Sequence, residues 1–91
     1  MSWPIGDRQM VLVEWIDSNT ANGWHDVESM RATVTQDCLC KSVGWLFIEA
    51  PDRIVLVPNQ SQTGQVADAT TIPRLAVVSV TPLVEAPQGT R

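Results

Sequence analysis

The run from Cys40 to Pro58, CKSVGWLFIEAPDRIVLVP, constrains the fold more than any other part of the chain. Two apolar segments meet at Pro51-Asp52. Pro51 presets φ at the second position of a type I turn over Ala50-Pro51-Asp52-Arg53, and Asp52 suits the third. The pattern predicts a β-hairpin. A half-buried strand alternates apolar with polar residues, but here Val43, Trp45 and Phe47 back onto Leu46 and Ile48, and Val55 and Val57 back onto Ile54 and Leu56. β-branched and aromatic enrichment around a Pro turn argues against one buried helix.

Composition sets the outer limits. Ninety-one residues make a single domain over 1–91, and 44% hydrophobic with 18% charged residues supports a core without metal or disulfides. The net charge of −4 and six scattered Lys and Arg residues argue against a nucleic-acid partner, which needs clustered positive charge. There is no basic leader before an apolar run, and no apolar stretch near the ~18–20 residues that span a bilayer, so no membrane partner is expected. Cys38 and Cys40 are too few for a disulfide framework, which points to reduced thiols in a cytoplasm.

Along the chain, residues 1–8 read as a short, loosely held lead-in. Residues 9–17 form a strong strand, with Val11, Val13 and Trp15 on one face and Met10, Leu12 and Ile16 on the other. A polar loop follows, with Asn22-Gly23 as a positive-φ turn. Residues 24–30 continue as a short strand, and 31–40 have no clear assignment. Residues 59–70 read as a mobile polar connection. Pro73 breaks the ladder, so a tight helical turn over 73–75 leads into a last strand ending at Leu83. Residues 84–91 have the composition of a disordered tail. Five short strands and little helix predict an all-β fold, a small five-stranded barrel of the Sm-like or Src-homology-like kind, ahead of a two-sheet sandwich or an α+β arrangement. The expected core is Leu12, Trp15, Trp45, Leu46, Ile54, Leu56, Ile72 and Val80.

Three segments together carry a resemblance. Ser42-Val-Gly-Trp-Leu-Phe-Ile-Glu49, Ile54-Val-Leu-Val-Pro58 and Thr71-Ile-Pro-Arg-Leu-Ala-Val77, ending at Pro82-Leu83, resemble small proteins encoded by tailed bacteriophages. These share a Val-Gly-Trp-Leu-like strand, an acidic turn, an Ile-Val-Leu strand and an Ile-Pro-x-x-Ala segment. The resemblance covers roughly residues 10–83 and implies a phage origin, a small barrel and a host-cell cytoplasm, but no catalytic residue. Here Ala50-Pro51-Asp52 replaces the usual acidic turn. The last strand also resembles the second motif of Sm-like RNA-binding proteins, without the basic residues that bind RNA.

No constellation in the sequence assembles a catalytic site. Cys38-x-Cys40 with His25 and Asp37 lacks the two well-spaced ligand pairs of zinc sites, so neither metal nor cofactor is expected. His25-Asp26 beside Ser18 or Ser29 puts neighbouring residues on opposite strand faces, which no catalytic triad tolerates. Glu14, Asp17, Asp26 and Glu28 read as solvated loop charges. Trp24 is different, because a large aromatic beside a polar turn is hard to bury and serves as a stacking platform or interface anchor. Asn22 and His25 would supply hydrogen bonds to a ligand there.

The doubly apolar strands also imply self-association, since one barrel face cannot bury all of them. Val55, Val57 and Val78 are the expected oligomer interface. The reading is a non-enzymatic phage accessory protein that works as a homo-oligomer. It antagonises a host defence component by binding a host protein or by sequestering a small nucleotide-like ligand. The alternatives are Sm-like RNA binding and a structural or assembly role in the virion.

Overall fold

A computed structural model describes residues 3–18, 22–35 and 37–87. The principal element is an antiparallel five-stranded sheet in the order β6-β3-β2-β1-β7, built from β1 (Met10–Asp17), β2 (Cys38–Glu49), β3 (Arg53–Val57), β6 (Thr70–Pro73) and β7 (Val77–Leu83). A separate ribbon pairs β4 (Asn59–Ser61) with β5 (Gln65–Ala67). The hairpin at Pro51-Asp52 forms as expected, closed by the Ala50 N–H donating to the Arg53 carbonyl at 2.9 Å. The helical turn is also present, as a 3-10 turn over Arg74–Ala76 that leads into β7.

Barrel closure is where the expectation and the structure part. The ladder stays open, with β6 and β7 at its two ends and no pairing between them. β6 has only four residues and ends at Pro73, which has no N–H to donate, and the chain turns at once into β7. Pro82 sits in β7 without disruption because β7 is an edge strand.

Three local expectations are corrected. Residues 24–30 do not continue as a strand. Instead α1 (Val27–Val34) forms, nucleated by Asp26, whose Oδ1 accepts from the Ser29 N–H at 2.8 Å. That bond satisfies an otherwise unpaired N–H of the first turn, and Glu28 adds a charge favourable to the helix dipole. Residues 59–67 are not a loop but the β4–β5 hairpin, which turns at Gly64 with φ +93°. The lead-in is not loose either. Ile5 is buried, its N–H donates to Gln60 Oε1 at 3.1 Å, and the Leu46 N–H donates to the Gln9 carbonyl at 2.8 Å.

The core lies on one face of the sheet: Val11 and Val13 of β1, Ile54 and Leu56 of β3, and Ile72 of β6, flanked by Trp15, Leu46, Ala76 and Val77. In β1 the buried face is therefore the Val11–Val13 face, while Leu12 is half-buried. Of the expected core, Ile54, Leu56 and Ile72 are fully buried, Trp45 is half-buried, and Val80 on the edge strand is exposed. Gly44 of β2 lies close to the β3 backbone, where a Cβ would stand 3.0 Å from the Val57 carbonyl oxygen. A bulge between Leu46 and Ile48 leaves Phe47 outside the β2–β3 register. Residues 84–87 continue without regular structure, and 88–91 of the expected tail lie outside the described residues.

Candidate functional site

Between β1 and β2 the chain makes an arm that contains α1. The helix buries none of its residues. Val27, Met30 and Val34 follow the i, i+3, i+7 spacing of one helix face, and with His25 and Arg31 they line a shallow surface. Val27 and Val34 are exposed, and Met30 is half-buried. Trp24, just before the helix, is fully exposed. Of the three predicted ligand residues, the structure brings His25 and Asn22 together: His25 Nε2 donates to the Asn22 carbonyl at 2.9 Å. That bond occupies one ring nitrogen and leaves the Trp24 indole free. Among the described residues nothing covers the indole, and residues 19–21 of the expected binding loop lie outside the described residues.

The predicted interface residues separate. Val55 and Val57 are 7% and 0% exposed within a single chain, so their side chains are covered without any partner. The pleat explains this: Ile54 and Leu56 face the main core, while Val55 and Val57 face the other way, and both sides of β3 are covered. Val78 is 56% exposed on β7, whose outer edge has no ladder partner among the described residues.

Cys38 and Cys40 project from the same face of β2 with their sulfurs 3.9 Å apart. Desolvation pushes the Cys40 thiol above its ordinary pKa, with the hydrogen bond and charge of Cys38 and the charge of Asp17 adding to the effect and a backbone hydrogen bond at Asp17 opposing it. Among the described residues no third His, Cys, Asp or Glu joins them in a metal-binding group. At the hairpin, Arg53 donates to both Asp52 carboxylate oxygens, which holds that carboxyl below the usual range and raises Arg53. Lys41 pairs with Glu14 at 3.7 Å, and Arg74 with Glu49 at 3.7 Å. These ion pairs are exposed and contribute little to stability.

No family model, curated protein or solved structure matches this chain. Among the described residues no helix is long and apolar enough to cross a membrane. What sequence reasoning missed is the α1 face. Its signal was Asp26 three residues before Ser29, an N-cap spacing ahead of Val27, Met30 and Val34.

Proposed function

We propose that this chain is a non-enzymatic binding protein that works as a homo-oligomer and engages another protein through the arm. The carrying observation is the fully exposed Trp24 on an arm whose helix buries no residue of its own. Exposed Trp is the side chain that most often anchors an interface. An apolar helix face beside it supports docking against a protein surface, whereas a small nucleotide would need walls that Trp24 lacks. The phage resemblance makes a host protein the intended target, with the arm as the antagonising surface. Lys41, Arg53 and Arg74 are neutralised by Glu14, Asp52 and Glu49, which weighs against the Sm-like RNA-binding alternative.

Self-association is assigned to β7, where Val78 and Val80 are exposed on an edge with no ladder partner among the described residues. The strand order, with a 3-10 turn before the last strand, supports kinship in topology with the Src-homology or Sm type, while the open sheet leaves the β7 edge available to a second copy. Sedimentation equilibrium tests the oligomer: a 10.0 kDa monomer with no concentration dependence sinks it. Photocrosslinking from position 27 in infected cells tests the arm. One discrete adduct that disappears in Trp24→Ala is expected, and its absence removes the arm from the function.

A further inference from the structure

A second surface, remote from the arm, is more fully built than the arm. Trp3, Gly6, Trp45, Gln60 and Glu85 line one cleft. They come from four separate parts of the chain: the lead-in, β2, β4 and the segment after β7. Hydrogen bonds hold these parts together. The Ile5 N–H donates to Gln60 Oε1 at 3.1 Å, tying the lead-in to β4. The Leu46 N–H donates to the Gln9 carbonyl at 2.8 Å, tying it to β2 beside Trp45. Gln9 Nε2 donates to the Leu83 carbonyl at 2.8 Å, tying it to the end of β7 two residues before Glu85. Within the lead-in, the Gly6 N–H donates to the Trp3 carbonyl at 3.2 Å, and a Cβ at Gly6 would crowd Trp3 Cβ at 3.2 Å. The turn that carries Trp3 is thus fixed in shape as well as in place.

The chemistry of the lining is one-sided. Among the described residues it offers two indoles, one carboxylate and one amide whose oxygen is already engaged, and no Lys, Arg or His. Glu85 makes no ion pair among the described residues. Indole faces carry negative quadrupole density and attract cations more strongly than any other side-chain ring. A carboxylate beside them adds charge of the same sign, and the chain as a whole is acidic. We infer that this cleft binds an alkylammonium cation, held by Trp3 and Trp45 and neutralised by Glu85. The cation would be either a free small ammonium compound or a lysine-type side chain presented by a partner protein. This inference does not depend on the arm or on the oligomer.

The test uses the full chain and three probes: tetramethylammonium, the uncharged 3,3-dimethylbutan-1-ol, whose quaternary carbon stands in for the ammonium nitrogen, and a short peptide carrying one trimethyllysine. Binding is followed by indole N–H shifts in NMR spectra, which separate Trp3 and Trp45 from the other two tryptophans. The cations should shift those two signals, and the neutral isostere should not. Trp3→Ala should weaken binding by roughly 3- to 30-fold, the range a cation–π contact spans. Glu85→Gln should weaken it less and remove most of its salt dependence. Tighter binding of the peptide than of tetramethylammonium assigns the source to a protein side chain, and the reverse order assigns it to a free compound. Equal binding of the neutral isostere, or no shift with any probe at millimolar concentration, overturns the inference. If Trp3→Ala unfolds the chain, Glu85→Gln alone decides, because an exposed carboxylate does not carry the fold.

Discussion

Gly44→Ala tests the close approach of β2 and β3. Gly44 is buried in β2 opposite Val11, and the neighbouring β3 backbone at Val57 approaches it closely. A Cβ placed there meets the Val57 carbonyl oxygen at 3.0 Å, its carbon at 3.1 Å and Leu56 Cβ at 3.3 Å. Two of these three neighbours are main-chain atoms of a hydrogen-bonded strand, so they cannot swing aside as a side chain would. In an open strand position, replacing Gly with Ala gains about 0.5–1 kcal/mol from reduced chain entropy. Overpacking a filled site costs about 1–3 kcal/mol. The second effect should win by roughly 1 kcal/mol, a lowering of about 4–8 °C in Tm for a domain of this size. Urea unfolding followed by tryptophan fluorescence should show a lower midpoint with an unchanged slope. An unchanged or raised midpoint would refute the close approach. Gly64→Ala is the contrast: its Cβ would meet nothing within 4 Å, so its penalty comes only from φ +93°.

The other predictions follow from burial, capping and charge. Leu56→Ala should cost about 2–5 kcal/mol in the same urea assay, because Leu56 is fully buried in the main core. Asp26→Ala should lose about 0.5–2 kcal/mol of helix stability, seen as reduced helical circular dichroism while the urea midpoint of the sheet holds. The Asp52 carboxyl is held below its ordinary value by the hydrogen bond from Arg53. Its contribution is therefore fully present above the unfolded value near pH 4 and is lost as pH falls through the lower folded value. Arg53→Gln should return the Asp52 titration, followed by NMR, to the ordinary range. Val55→Glu should unfold the chain rather than release folded monomers, since Val55 is covered internally, and a folded monomeric product would argue otherwise.

What the sequence made legible is what short-range rules determine. Pro51-Asp52 set the hairpin, and Pro73 set the turn into β7. Apolar runs located β1, β2 and β3. The sequence could not say which face of β1 is buried, because both faces are apolar and either register satisfies the pattern. It placed Val55 and Val57 outside for the same reason, when β3 is covered on both sides. The anchored lead-in was invisible because its ties run to Gln60, Leu46 and Leu83, far away in sequence. The β4–β5 hairpin was missed because Asn59, Gln60 and Gln65 have low strand propensity, and Thr63-Gly64 carried the only turn signal. The Trp3–Trp45–Glu85 cleft depends on those same long-range ties.

The arm and the sheet also differ in what sustains them. An isolated helix shorter than about 12–15 residues is marginal in water, since nucleation is costly and few hydrogen bonds follow. Helix α1 has eight residues, one good N-cap and nothing buried, so the sheet lends it little support. Its order is what a partner would consolidate by covering Val27, Met30, Val34 and Trp24. On this reasoning the cap acts on binding without touching the partner: weakening it raises the amount of ordering that binding must supply. Asp26→Ala and Trp24→Ala should then both lower affinity, the first through the free state and the second through the contact. Lengthening the helix or adding a second cap should restore the first variant and leave the second impaired. Equal rescue of both would mean that Trp24 shapes the arm rather than meeting the partner.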